Sequence, residues 1–304
     1  MYDIIVVGGG PAGLTAAVYA MRAGKTVLVI EKNGFGGQIA YTPKVENIPG
    51  TQQISGSEFA EKLTEQVLAL GAEVELETVT AVQKNESGFV VSTEEGSAYE
   101  AASVILAVGV KHRMLGLPGE MDLMGNGLSF CAVCDGAFYT GQDTAMIGGG
   151  NSALQEALLL SEVCRKVTVV QNLADFTGEK ALSEALLEKE NVEVLFSTVV
   201  EEYLSENGAL SGLAVRNTET GETQQLHVDG AFLAIGLVPE NERFAALAET
   251  DERGYFASAE DCLTATPGLF VAGDCRRKAI RQVVTASADG AVAAMAACRY
   301  LDGV

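Results

Sequence analysis

A chain of 304 residues is long enough for two domains of roughly 150 residues each. Apolar residues make up 48% and charged residues 20%, enough to bury a sizeable core, which excludes a disordered segment. Asp and Glu number 41 against 20 Lys and Arg, and the resulting formal net charge of -21 repels phosphate backbones and anionic lipid, so nucleic-acid and membrane-surface binding are excluded as well.

The N-terminus carries Asp3 where a signal peptide needs basic residues, and its apolar run stops at Gly8. The longest apolar stretches, such as residues 101–110, fall far short of the ~20 residues a spanning helix requires. Six cysteines, of which only Cys131 and Cys134 lie close together, are too sparse for a secreted disulfide scaffold. The expectation is a soluble cytoplasmic protein.

The chain opens as a strand, turn, helix and strand: Ile4 to Val7, a glycine loop, a helix to about Ala23, then Thr26 to Glu31. Both strands are continuous apolar runs, the pattern of a parallel sheet covered on both faces. Residues 57–70 have helical spacing, residues 73–91 read as short strands with a turn at Glu86-Ser87-Gly88, and Val104 to Gly109 is a buried strand ending in glycine. The stretch from His112 to Gly127, with Pro118 and several glycines, reads as a linker. A second unit like the first begins near Thr144: a strand to Ile147, a glycine loop, a helix over residues 154–163 and a strand over residues 167–170. Residues 230–236 repeat the strand that ends in glycine, and Pro239-Glu240-Asn241 marks a second crossing point. The tail holds a strand, Leu269 to Ala272, then Gly273-Asp274-Cys275 and a long Ala-rich helix.

Gly8, Gly10 and Gly13 form GxGxxG between a strand and a helix. The first glycine permits the tight turn, the second lets backbone approach a pyrophosphate, and the third allows close helix packing, while the helix N-terminus favours the phosphate charge. Glu31 closes the next strand, where a carboxylate accepts from ribose hydroxyls and disfavours a 2′-phosphate, so FAD or NAD is the expected ligand. The bland alternative is a glycine-rich turn beside an exposed Glu.

Cys131-Ala132-Val133-Cys134 is followed at once by Asp135. Thiols two residues apart can close a reversible disulfide, a depressed pKa turns one into the attacking thiolate, and an adjacent carboxylate can move its proton. Half a zinc site or an inert buried pair are the alternatives; zinc needs a second pair at ligand spacing, which Cys164, Cys262, Cys275 and Cys298 do not offer, and no metal is expected.

Gly148, Gly150 and Ala153, with Asn151 and Ser152 between, give GxGxxA. This is either a second pyrophosphate site or a duplicated fold that no longer binds. The strand that follows runs into Gln171-Asn172-Leu173, with no Arg to meet a 2′-phosphate and no acid to meet a ribose, so neither NADPH nor NADH is indicated. The basic residues Arg276, Arg277, Lys278 and Arg281 stand out in an acidic chain, either as a dock for an acidic protein or as a solvated or FAD-pairing loop.

Taken in order, residues 8–17, Gly36-Gly37-Gln38, residues 45–50, residues 131–136, residues 148–153, Val271 to Asp274 and Arg281 to Val284 resemble the low-molecular-weight thioredoxin reductases of the flavoprotein disulfide reductase family over nearly the whole chain. The resemblance implies an α/β fold of two Rossmann-like three-layer domains, the second inserted into the first: residues 1–113 and 242–304 binding FAD, residues 114–241 carrying the redox pair. It implies that Gly8, Gly10, Pro11, Ala12, Gly13 and Glu31 hold the adenosine and pyrophosphate of FAD. Gln38 and Asn47 would lie near the flavin, Asp274 on the ribityl chain, and Gln282 and Val283 at the pyrimidine edge, with Gly273 also binding the cofactor. Cys134 would face the flavin, Cys131 attack the protein substrate and Asp135 serve as acid-base group, with rotation of the inserted domain between the two jobs. A thioredoxin-like partner and a homodimer are implied. The chain departs from the pattern at Gln171-Asn172-Leu173, where NADPH-using members carry His-Arg-Arg, so reduced ferredoxin is weighed as donor beside NADPH and NADH. A non-enzymatic FAD-binding redox sensor is the remaining alternative.

Overall fold

The structure, a computed structural model, describes residues 1–42 and 45–303, and they fall into two units. The first comprises Met1–Pro43, Ile48–Lys111 and Val238–Val304; the second comprises Lys44–Asn47 and His112–Leu237.

In the first unit Tyr2–Val7 is the central strand of a seven-stranded sheet. It pairs in parallel with Val27–Glu31 on one side and with Ala98–Leu106 on the other. Ala98–Leu106 is shared along its length: its first half runs antiparallel to Gly88–Thr93, and its second half runs parallel to Leu269–Val271 from the tail. Alternation along Tyr2–Val7 serves both faces. Ile4 and Val6 join the cluster beneath the helices Pro11–Arg22 and Val283–Asp302, while Ile5 and Val7 join Phe89, Phe256 and Leu269 opposite. Each of these four side chains is at most 4% exposed, a burial worth roughly 1.5–3 kcal/mol apiece. The two helices meet at a glycine: a Cβ on Gly290 would lie 2.1 Å from the Ala12 carbonyl oxygen. That approach brings the C-terminal helix, and the Gly273-Asp274 turn before it, against the first glycine loop.

The second unit has a five-stranded parallel sheet in the order Val192–Leu195, Lys166–Val170, Asp143–Ile147, Gly230–Leu233, Leu128–Ser129. A separate antiparallel sheet is formed by Thr198–Glu206, Ala209–Asn217 and Thr223–His227. Its first turn is Asn207-Gly208, both at positive φ (53° and 81°), as a two-residue hairpin with matching twist requires.

The stretch expected as a linker, His112 to Gly127, is not a free connection. Leu123 is buried, and Leu115, Leu117 and Met124 pack around it into one of this unit's cores. The buried Glu120 carboxylate accepts from the amides of Leu115 and Gly116 and from the Tyr203 hydroxyl, which satisfies an otherwise irregular backbone. Glycine and proline mark the turns here; the apolar residues between them carry the packing.

Candidate functional site

The first glycine loop is held by backbone contacts and by one side chain, Glu31. Gly8 donates to the Ile30 carbonyl at 2.8 Å and has φ +109°; a Cβ there would lie 2.3 Å from the Ala107 carbonyl oxygen. A Cβ on Gly13 would meet the Gly8 carbonyl oxygen at 1.8 Å, so the third glycine is demanded by helix packing. Gly10 differs: its backbone is extended at φ -79°, and the nearest atom to a Cβ would be 4.0 Å away. The open space lies over Gly10, at the start of a helix with Pro11 in its first turn and Ala12 and Gly13 buried behind it. Glu31 reaches back from the strand end, its Oε2 accepting from the Gly9 amide at 2.7 Å and its Oε1 from Asn33 at 3.0 Å.

Gly273, at φ +79°, sits so close to this helix that a Cβ would lie 2.8 Å from the Cβ of Ala12. Asp274 follows, and its Oδ1 is buried with no hydrogen-bond partner among the described residues; burial pushes its carboxyl pKa up. This oxygen, whose nearest cation is Lys278 at 3.8 Å, lies beside a glycine cradle and fits a ligand bearing hydroxyl donors and a pyrophosphate, as FAD does. Gln38, in the Gly37–Tyr41 turn, donates to the Val110 carbonyl. Gln282 caps the Val283–Asp302 helix in a reciprocal pair with Thr285, and Val283 is the first helical residue. Asn47 is exposed in an irregular segment assigned to the second unit.

The basic run is not a docking surface. Arg276 is 2% exposed and grips Asp289 of the last helix through Nε at 2.8 Å and an Nη at 2.7 Å; Lys278 adds a third contact at 2.9 Å. Arg281 lies over the Tyr255 ring at 4.2 Å. Asp289 also accepts from the Gly273 amide at 3.0 Å, so the cluster ties the Gly273-Asp274 turn to the helix. Of this group only Arg277 is exposed, with Lys278 and Arg281 half-buried.

In the second unit Cys131 and Cys134 form a disulfide, Cα to Cα 5.3 Å, across the short Ala132–Asp135 helix. Cys131 is the cap: its sulfur accepts from the Cys134 amide at 3.1 Å, an arrangement that favours negative charge on that sulfur once the bridge opens. Asp135 is 8% exposed. Its Oδ2 accepts from the Ser129 hydroxyl at 2.5 Å, Ser129 accepts from the Cys131 amide at 3.1 Å, and Oδ1 has no partner among the described residues. Burial raises the Asp135 pKa against the lowering effect of Ser129. A buried carboxyl with a free oxygen, hydrogen-bonded into the turn that holds the sulfurs, is equipped to hold and release a proton beside them. His112 is no rival base: it stacks on Phe130 at 4.1 Å, and burial lowers its pKa to about 4. Among the described residues no group of three or more His, Cys, Asp or Glu side chains is arranged for a metal ion, and Cys164, Cys262, Cys275 and Cys298 are buried and unbridged.

The second glycine loop repeats the first in backbone only. Gly148 has φ +129° and donates to the Val170 carbonyl at 2.9 Å, while Asn151 and Ser152 open the helix and Ala153 is fully buried. The residue matching Glu31 is Gln171, 2% exposed and donating to the Asp175 carbonyl at 2.9 Å. The segment after it lies along the loop: Thr177 and Gly178 both donate to the Gly149 carbonyl, and Glu179 and Asn151 bond each other twice. Ser129, Glu156 and Asp289 escaped the sequence reading; each acts through a contact that no short motif encodes.

Residues 2–290 match the family described as pyridine nucleotide-disulphide oxidoreductase. The chain is 42% identical over 302 residues to the thioredoxin reductase of Treponema pallidum, with 99% of this chain and 97% of that protein covered. It is 38% identical to the thioredoxin reductase of Bacillus subtilis, covering 99% and 95%. The crystal structure of the Streptococcus pyogenes thioredoxin reductase superposes with a TM-score of 0.94 at 37% identity, covering 100% of this chain and 99% of that one. With the family pattern matched over nearly its whole length, the chain belongs to the pyridine nucleotide-disulphide oxidoreductase family.

Proposed function

We propose that the chain is an FAD-dependent reductase of thioredoxin or a thioredoxin-like protein, working through Cys131 and Cys134. The observation that carries this reading is the buried Asp135 carboxyl, held by Ser129 in the turn that bears both sulfurs. Gly8, Gly10, Pro11, Ala12, Gly13 and Glu31 would receive the adenosine and pyrophosphate of FAD, and Asp274 its ribityl hydroxyls, with Gly273 beside Asp274 and with Gln38, Asn47, Gln282 and Val283 nearer the ring. Bound FAD supplies electron pairs to the disulfide.

The remaining steps belong to the protein. Cys131, whose sulfur faces the Cys134 amide, is the better placed thiolate and attacks the partner disulfide. Cys134 then attacks Cys131 in the mixed disulfide, and Asp135 passes the proton between the departing and arriving sulfurs. Anaerobic turnover with thioredoxin as substrate tests the reading: thiol release from thioredoxin that Cys134→Ser abolishes supports it, and release that survives the substitution contradicts it.

The donor has a second reading. The amide of Gln171 occupies the place of the first loop's acid, and no basic side chain stands in the Gln171-Asn172-Leu173 stretch. This supports a donor other than NADPH, reduced ferredoxin foremost, since neither a 2′-phosphate nor a ribose finds a charged partner there. Rates of flavin reduction with NADPH, NADH and reduced ferredoxin side by side decide it, and fastest reduction by NADPH would refute the second reading. The same proposal places the enzyme in the cytoplasm as a homodimer; no helix among the described residues is long and apolar enough to cross a membrane.

A further inference from the structure

The helix Asn151–Val163 carries a carboxylate that the proposed steps do not use. Glu156 Oε2 accepts the backbone amide of Ala132, the residue directly after Cys131, at 2.9 Å. Ala132 is 2% exposed and Glu156 is partly buried. Glu156 therefore grips the first amide of the turn that holds both sulfurs. Asp135 is the charged side chain that faces it from that turn. Along its own helix the next acid is Glu162, which pairs with Lys189 instead. Burial and the charge of Asp135 push the Glu156 pKa up to about 7, while the Ala132 amide opposes the rise.

Opening the disulfide adds negative charge to this pocket. A thiolate beside two ionised carboxyls is costly, since a like charge within ~4–6 Å disfavours ionisation. The pocket lowers that cost if one carboxyl takes a proton as the sulfurs are reduced.

We propose that Glu156 is a proton-holding positioning residue of the dithiol, ionised and fastened to the Ala132 amide while Cys131 and Cys134 are joined, and protonated while they are reduced. The inference rests on the reductase reading above. Two electrons break the sulfur–sulfur bond and two protons enter. One proton ends on a sulfur and the other on Glu156, which leaves the second sulfur as thiolate with no net change of charge in the pocket. In the return half, the thiolate forms a mixed disulfide with the partner and expels one partner sulfur. The remaining thiol gives up its proton, closes the Cys131–Cys134 bond and expels the other partner sulfur. That proton and the one from Glu156 end on the two partner sulfurs.

The test uses the FAD-loaded protein reduced by dithiothreitol, with no turnover required. Infrared difference spectra at pH 7 should show a protonated-carboxyl band that appears on reduction, persists in Asp135→Asn and is absent in Glu156→Gln. A band identical in Glu156→Gln and the parent, or no such band in the parent, overturns the proposal. Alkylation of the reduced dithiol by iodoacetamide across pH gives a second readout. Glu156→Gln keeps an acceptor for the Ala132 amide but can neither take up nor release a proton, so the parent's alkylation–pH curve should carry a second inflection, where Glu156 ionises beside the thiolate, that Glu156→Gln lacks. A merely structural role predicts an unchanged pH curve for Glu156→Gln and a changed one only for Glu156→Ala, which would refute the proposal. If the thiol count does not change on reduction in the parent, the reductase reading itself has failed, an outcome distinct from either of these.

Discussion

Arg276 and Asp289 face each other in the interior of the first unit, with side chains 2% and 7% exposed and two hydrogen bonds of 2.8 and 2.7 Å between them. The pair joins the turn after Asp274 to the C-terminal helix, and Asp289 also holds the Gly273 amide. Asp289→Ala leaves the buried Arg276 guanidinium with only the Ala259 carbonyl and the exposed Glu260 carboxylate, and the expected loss is roughly 3 kcal/mol of unfolding free energy in urea, with weaker FAD retention. Burial works against ionisation of Asp289, but Arg276 and Lys278 outweigh it and hold the carboxyl below its usual range. A depressed folded pKa stabilises above the unfolded value near ~3.9 and ceases to do so as pH falls through the folded value. Acid unfolding below about pH 4 should therefore show a Asp289-dependent step that the Ala variant lacks.

Ser129 and Asp135 make a prediction about rate. Asp135→Asn removes the proton carrier and should slow thioredoxin reduction by about 10²–10⁴-fold, the usual worth of general acid-base catalysis. Ser129→Ala removes the hydrogen bond that lowers the Asp135 pKa. The acid limb of its pH–rate profile should therefore move to higher pH, with a smaller loss at the optimum. An acid limb that moves down or stays in place would contradict the assignment of Asp135.

Gly10 and Gly13 separate binding from folding. A Cβ on Gly13 strikes the Gly8 carbonyl, so Gly13→Ala should lower stability and FAD content together. Gly10→Ala meets nothing within contact distance in the protein and should unfold at the parent's urea midpoint. Its methyl group would occupy the space assigned to the pyrophosphate, so FAD affinity should fall by about tenfold or more, about 1.4 kcal/mol per decade. Normal FAD binding by Gly10→Ala, measured by fluorescence titration, would remove the loop from the cofactor site.

Much of this arrangement is legible along the chain because it is local. The GxGxxG at Gly8, Gly10 and Gly13 lies between an apolar run and a helix, and Cys131 to Asp135 are contiguous. What escaped depends on contacts made by folding. Ser129 reaches Asp135, Glu156 reaches Ala132 from another helix, and Asp289 neutralises a basic run that in one dimension resembles a docking patch. Between His112 and Gly127 the glycines and proline give a linker's composition in one dimension, whereas the core takes up Leu115, Leu117 and Leu123 in three. The Asn207-Gly208 hairpin carried a readable signal, an Asn-Gly pair between strand-forming runs.

An electron pair should pass between bound FAD and the sulfurs of Cys131 and Cys134. Anaerobic dithionite titration of the purified flavoprotein measures it directly. The account predicts uptake of two electron pairs per chain, one by the flavin and one by the disulfide, with two new thiols appearing and only one pair taken up by Cys134→Ser. A parent protein that takes up a single pair and gains no thiols, or that binds no flavin at all, would contradict it.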